Sequence, residues 1–273
     1  MKVLIRTAVL ASACALGFTT LPAPAPAADK VTLTAEVASS VKAPFEQFIK
    51  IYESKHPGVT ISAKYLGGGV IQGDVESDNP IDIVVVGKNQ TDKLLAHINT
   101  PVAVLTNRET LLIRAGETKV KSLKDLGNPG IRVGMANGQG SAVGTLARQM
   151  LKKAADDPAF GADFPVKVRQ NSPAYFEKLQ SEDDVVQGLL KGEADVAIGF
   201  VSSVEPPKLK GIAIPDKYNI DSVYYIFIPK SAKDAKDAQD MVKLMSGPQG
   251  QAILHSHRYL PAPKGAYVPP PKP

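Results

Sequence analysis

A chain of 273 residues that is 44% hydrophobic and 22% charged has the make-up of a globular protein, which excludes a disordered, collagen-like or coiled-coil chain. Its length fits one or two domains with a substantial core. The formal charge of +5 comes from dispersed Lys and Arg with no aromatic-basic stripe, so nucleic acid is not an expected partner. Beyond the N-terminus no apolar stretch approaches the ~20 residues of a membrane helix.

Residues 1–28 read as an export signal. Lys2 and Arg6 precede the apolar stretch from Thr7 to Leu16, and Ala25-Pro26-Ala27-Ala28 supplies a small-residue cleavage site. Cleavage after Ala27 or Ala28 removes both basic residues and lowers the formal charge from +5 to near +3. It also removes Cys14, the single cysteine; Ala11 stands where a lipid-attachment site would want Leu, Ile or Val. The mature chain then has no disulfide, no thiol nucleophile and no cysteine metal site. A cysteine-free exported protein of this size points to the bacterial periplasm, where ATP and NAD are not expected ligands.

Short β-rich runs are predicted at 31–38, 59–65, 82–86, 102–105 and 110–114, then at 131–135, 166–169, 195–201, 211–214 and 223–228. Helical spacing falls between them. Phe45, Phe48, Ile49 and Tyr52 repeat at i, i+3, i+4, i+7, and Val143, Leu146, Ala147, Met150 and Leu151 share one helical face. Ser181 with Asp184 opens a short helix carrying Val186, Leu189 and Leu190, and Ser231 with Asp234 gives the same signal before Ala238, Met241, Val242 and Met245. This alternation predicts an α/β fold with a mostly parallel sheet. The tail from Pro261 has six prolines in thirteen residues and is expected to be extended and mobile.

Four strand-to-helix junctions could carry chemistry. Ser39, in Ala38-Ser39-Ser40, is either an ordinary N-cap or a hydroxyl facing an anion beside free helix N–H groups. Leu66-Gly67-Gly68-Gly69 is either a flexible turn or a place where backbone N–H groups approach a ligand unhindered by a Cβ. The run from Asn137 to Gly144 is a glycine-rich loop opening a helix, with GxGxxxG spacing in place of the dinucleotide GxGxxG, so no nucleotide is assigned to it. Ser181-Glu182-Asp183-Asp184 opens a fourth helix; its acids complement the helix dipole and, as they would repel an anion, are expected to point away from the cleft.

Catalytic constellations are missing: there is no HExxH, GxSxG or GxxxxGK[ST], and no serine has a paired base. His255-Ser256-His257 could hold a metal weakly, but a solvated helix end accounts for it. The sequence therefore does not read as an enzyme, and no cofactor is expected.

Five stretches resemble, in order, the periplasmic solute-binding proteins of ABC importers, above all the molybdate-binding branch. They are VASSVKAPFEQFIKIYESKHPGV, YLGGGVIQGDVESDNPIDIVVVG, SLKDLGNPGIRVGMANGQGSAVGTLARQML, VVQGLLKGEADVAIGFVSS and AQDMVKLMSGPQGQAILHSHRYLP. The last, with S-x-P-x-G-Q-x-I-L before an aromatic-Leu-Pro close, is the most specific. The resemblance spans Val31 to Pro261 and implies the type II periplasmic-binding fold: two α/β lobes joined by two crossover strands. Lobe 1 would comprise residues 29–106 and 218–273, and lobe 2 residues 107–217, with crossings near Asn107 and Lys217.

The resemblance further implies a tetrahedral oxyanion, molybdate or tungstate, held by hydroxyls and backbone N–H groups and passed to an inner-membrane permease by a monomeric protein. Ser39 matches the first serine donor. The second serine falls on Gly68 and the tyrosine donor on Phe200, neither of which has a hydroxyl. Backbone donors fall near Val143 and Val185. Ser141, Ser202 or Gln139 are the candidates to replace the missing hydroxyls. The two losses favour a different small anion or organic acid as the alternative ligand, and a non-transport periplasmic accessory protein is the alternative role.

Overall fold

The computed structural model describes residues 31–138 and 141–269, so the export signal, Gln139 and the last four residues lie outside the described residues. Its elements in chain order are β1 (Val31–Ala38), α1 (Lys42–Lys55), β2 (Val59–Leu66), α2 (Gly68–Glu76), β3 (Ile83–Gly87), α3 (Lys88–Lys93) and β4 (Val102–Arg114). There follow β5 (Val133–Gly134), α4 (Ala142–Ala155), α5 (Phe164–Gln170), α6 (Glu182–Leu190), β6 (Val196–Phe200), β7 (Leu209–Ala213), β8 (Asp221–Phe227), α7 (Ala235–Ser246) and α8 (Pro248–Ser256).

The strands join in the order β2-β1-β3-β8-β4-β6-β5, with β7 added to β4. β1 pairs parallel with β2 and β3, and β5 parallel with β6. The remaining pairings among the described residues are antiparallel, so the sheet is mixed where the sequence predicts a mostly parallel one. Three of the four antiparallel pairings involve one strand, and the fourth joins β3 to β8. The 13-residue β4 runs across the molecule, pairing with β8 as far as Arg108 and with β6 from Glu109 onward. The sequence reads it as two strands because Thr106, Asn107, Arg108 and Glu109 interrupt the apolar run.

Alternation along the strands divides the core. Ile83 and Val85 of β3 face a cluster with Phe45, Phe48 and Tyr52 of α1 and Met241 and Met245 of α7. Val84 and Val86 face the other way, onto Ile71 and Val75 of α2 and Phe227 of β8. Within the second half of β4, Leu111 and Ile113 pack with Met150 and Leu151 of α4, whereas Leu112 packs with Val185 and Leu189 of α6. Strands covered on both faces read as continuous apolar runs, which is the pattern of IVVVG in β3.

Several further expectations change. Residues 166–169, predicted as a strand from the alternation Val166-Lys167-Val168, lie in α5, where Pro165 occupies the first turn and Phe164 and Val168 meet the core on one helical face. Ser231 does not cap α7: Asp234 is at the N-cap, and the Ser231 hydroxyl bonds the Asn79 carbonyl at 3.0 Å. Within the described part of the Pro-rich tail, 261–269, Tyr267 packs edge-on against Tyr225 and hydrogen-bonds Asp92. His255 and His257 end α8, His257 meeting Gln47 at 3.2 Å. Among the described residues no cluster of His, Cys, Asp and Glu is placed to hold a metal, and no helix is long and apolar enough to cross a membrane.

Candidate functional site

The helical starts that follow β1, β2 and β5 and the one that precedes β6 meet at one cavity, outside the carboxyl ends of strands as expected of open α/β sheets. It is lined by Ser39 and Ser40, where a short 3-10 turn leads into α1, by Gly67 and Gly68 at the start of α2, and by Ser141, Ala142 and Val143 at the start of α4. Ser181, Glu182 and Asp183 at the start of α6 complete the ring, with Gln90, Gln180, Phe200 and Tyr224 between. The cavity has about 40 Å³ open to the centres of water molecules, room for about three waters or one compact solute.

Each start leaves N–H groups without a helical partner, and each adds partial positive charge at its tip. Ser141 accepts from Gly144 N at 3.4 Å, and Ser181 from Asp184 N at 3.1 Å, so these two hydroxyls cap their helices. Ser39 caps nothing: Ala38 and Val41 hold the two N-cap positions, and neither makes a side-chain cap bond. Of the two readings of Ser39, the N-cap is therefore set aside.

The α4 wall owes its position to Gly144. A Cβ there would stand 2.4 Å from the Asn137 carbonyl oxygen and 2.5 Å from that of Ala136, so only glycine lets the first turn of α4 rest on that backbone. Thr145 Oγ1 donates to Gly138 O at 2.6 Å, and Arg148 Nη1 donates to Ala136 O and Gly144 O at 3.0 Å, fixing the loop from behind.

Of the residues singled out from the sequence, Ser39, Gly68, Ser141, Val143 and Phe200 lie on this wall, but two are not where they were expected. Val185 is fully buried in the core beside Val143 and Phe200. As the fourth residue of α6 its N–H falls to the carbonyl of the N-cap, so the unpaired donors of this helix belong to Glu182 and Asp183. Ser202 is outside the cavity and accepts from Asn107 Nδ2 at 2.8 Å. Gln139 cannot be assigned, because it lies outside the described residues.

Two side chains on the wall were not singled out from the sequence, and a third was named there only as one of the acids expected to point away. A Cβ on Gly68 would stand 3.0 Å from Gln90 Cδ and 3.2 Å from Gln90 Oε1, so the Gln90 amide fills the space that a serine at position 68 would claim. Tyr224, from β8, brings a hydroxyl that lies 3.0 Å from Ser40 Oγ, opposite the Phe200 that has none. Burial pushes this phenol up to about 12, so it stays a hydroxyl at any physiological pH. The third is Glu182, nine-tenths buried, whose Oε1 accepts from Phe200 N at 2.6 Å and Ser203 Oγ at 2.7 Å. Burial pushes its carboxyl up to about 7, against the lowering effect of these two bonds. Among the acids of this turn, capping by Ser181 turns Asp184 outward and the Glu182 carboxyl is turned onto β6, while Glu182 and Asp183 join the wall as the first two residues of α6.

The wall therefore offers hydroxyls, amides and helix N–H groups, and its lining includes Glu182 and Asp183 but, among the described residues, no Lys, Arg or His. Dipolar donors converging without a counter-cation can hold a small desolvated anion.

Solved structures share this architecture. The periplasmic molybdate-binding protein of Azotobacter vinelandii aligns over 84% of this chain and 98% of its own, with 16% identity and a TM-score of 0.68. The sulfate-binding protein of Mycobacterium tuberculosis aligns over 85% of this chain and 87% of its own, with 14% identity and a TM-score of 0.72. A periplasmic binding protein from Actinobacillus pleuropneumoniae, solved with fructose-6-phosphate, aligns over 86% of this chain and 85% of its own, with 18% identity and a TM-score of 0.68. No curated protein matches the sequence. Residues 33–260 match the family of bacterial extracellular solute-binding proteins, and the chain belongs to that family.

Proposed function

We propose that this protein captures a small tetrahedral oxyanion in the periplasm, molybdate or tungstate by the motifs it carries, and delivers it to an ABC importer. The observation that supports this reading is the convergence of four helical starts on a small cavity without a cation on its wall. In this reading Ser39, the Gln90 amide and the first-turn N–H groups of α2 and α4 hold the anion's oxygens. Lobe 1, residues 29–106 with 218–273, closes on lobe 2, residues 107–217, about the crossing strands β4 and β8. Contacts from both lobes shift the equilibrium toward the closed form that docks on the permease. One of the structural neighbours binds molybdate by its name and another sulfate, in line with an oxyanion cargo.

Gln90 and Glu182 favour a second reading on the same fold: a small anion other than molybdate. Thermal melting of the secreted protein with a panel of oxyanions, organic acids and neutral sugars tests the class. An oxyanion at about 100 times its dissociation constant is expected to add ~2.7 kcal/mol of stability. Ser39→Ala is expected to weaken that anion ten- to a hundred-fold, the loss of a hydrogen bond to a charged group, with an unchanged apo melting temperature. Stabilisation by sugars alone would contradict the reading.

A further inference from the structure

Outside the cavity, and sharing no lining residue with it, a groove of about 570 Å³ runs between α4 and α5. Small-molecule sites have volumes of ~300–1,000 Å³, so this one can take a ligand. Its floor is apolar. Met135 and Leu151 belong to the buried core, Pro165 to the first turn of α5, and Val166 beside it is 56% exposed. The charged side chains of the groove are Arg148 of α4, Arg169 of α5 and Glu177. The same three line a recess that continues to Asn137 and Gly138, so the charge gathers at that end.

These charges do not cancel. Arg169 Nε donates to Glu177 Oε1 at 2.9 Å, so the one carboxylate is already paired. Arg148 has no ion-pair partner among the described residues; its Nη1 donates to the carbonyls of Ala136 and Gly144 at 3.0 Å. Burial pushes its pKa below the ordinary arginine value, with Glu177 opposing that shift and the like charge of Arg169 adding to it. One positive charge in the groove is therefore left over, on a group whose planar fork fits a carboxylate. Ser172, also on the lining, has a hydroxyl buried without a partner among the described residues, a polar group that the protein itself leaves unsatisfied. We propose that this groove is a second ligand site, for a monoanion with an apolar body: an aliphatic or aromatic carboxylate. The carboxylate pairs with Arg148, and the body covers Met135, Leu151 and Val166. A neutral apolar ligand would leave the extra guanidinium unpaired, and a dianion would overfill it.

Nuclear magnetic resonance of the secreted protein with labelled methionine methyls tests this, by titration with octanoate and octanamide below the concentration at which octanoate forms micelles. Met135 reports the groove, while Met241 and Met245 lie in the core cluster on α1 and α7 and serve as controls. Octanoate is expected to shift the Met135 methyl to saturation and to leave the two controls in place. Octanamide has the same body without the charge and is expected to bind about tenfold more weakly. Arg148→Gln is expected to weaken octanoate by about the same factor and to leave octanamide unchanged. Val166→Glu sets a like charge at an exposed position of the floor and is expected to weaken octanoate about tenfold with an unaltered melting temperature. An unmoved Met135 methyl would overturn the proposal, as would equal binding of acid and amide or wild-type binding of octanoate by Val166→Glu. Arg148 also holds the loop before α4; should Arg148→Gln fail to fold, the amide comparison and Val166→Glu decide.

Discussion

At the residue scale, a donor lost from one position of the cavity is supplied from another. Gly68 and Phe200 lack the hydroxyls that the molybdate-type motif places there, yet the Gln90 amide occupies the space beside Gly68 and Tyr224 brings a hydroxyl from β8. This changes what Gly68→Ser should do. The new side chain meets Gln90 at 3.0 Å, and the amide must move aside, so one donor replaces another. Affinity for the anion is expected to change less than about tenfold in Gly68→Ser. It should fall by about 1.5–3 kcal/mol in Gln90→Ala, which loses a donor to a charged acceptor. In the double variant the serine has room, and part of the loss is restored; the coupling between the two positions, read from a calorimetric double-mutant cycle, is the signature. Additive effects would show that Gln90 does not stand in for the missing serine.

Among elements, the best-buried ion cluster lies away from the cavity, where β5 meets β6. Asp195, at the entry to β6, has a side chain 2% exposed. It accepts from Arg132 Nη2 at 2.7 Å, from Arg132 N at 2.9 Å and from Lys119 Nζ at 3.3 Å. Burial raises its pKa, but these bonds outweigh it and hold the carboxyl down at about 2. The sign follows from linkage: the unfolded carboxyl, near its ordinary ~3.9, takes up a proton first as the pH falls. The stabilisation is therefore complete above about pH 4 and is lost as the pH drops through about 2. With both cations half exposed to screening solvent, it amounts to about 2 kcal/mol. Asp195→Asn is expected to lower apo stability by about that much at neutral pH and by much less near pH 2. Urea melts at both pH values check it, and an equal loss at the two would assign the effect to packing alone.

How far these elements could be read from sequence depended on whether their signal was local. The strands at 31–38 and 223–228, the α1 face of Phe45, Phe48 and Tyr52, and the Ser181 cap are patterns within a dozen residues, and each stands in the structure with shifts of a residue or two at its ends. α5 was misread because Val166-Lys167-Val168 alternates like a strand, whereas the core contacts of Phe164 and Val168, four apart, make it a helix. The same limit governed the cavity. Ser39, Gly68, Ser141 and Val143 are visible as strand-to-helix junctions. Gln90 and Tyr224 reach the wall because β3 lies between β1 and β8, a neighbour relation that no local pattern encodes. A glutamine three residues after a strand that ends in glycine was the one available hint.

On the scale of the whole molecule, the sheet is continuous, yet its cores are not. The clusters built on β1, β3, β8 and the first half of β4 and those built on its second half with β5 and β6 have no side chain in common, and β4 passes between them at Arg108 and Glu109. The passage is tied by polar groups instead of apolar packing: Arg108 bonds Asp216 and Asp221 at 2.8 Å, and Asn219 Nδ2 donates to the Glu109 carbonyl at 2.8 Å. Bonds of this kind can persist while packed bodies rotate, which suits closure about β4 and β8 around a solute held between helical starts. The central claim is that the solute is an oxyanion seated at those starts. Anomalous diffraction from crystals of the secreted protein grown with tungstate locates the anion directly. The expected result is a single tungsten peak in the cavity, with the oxygens around it within hydrogen-bonding distance of Ser39, the Gln90 amide and the first turn of α4. A cavity without tungsten, or one filled by a different solute, would contradict the account.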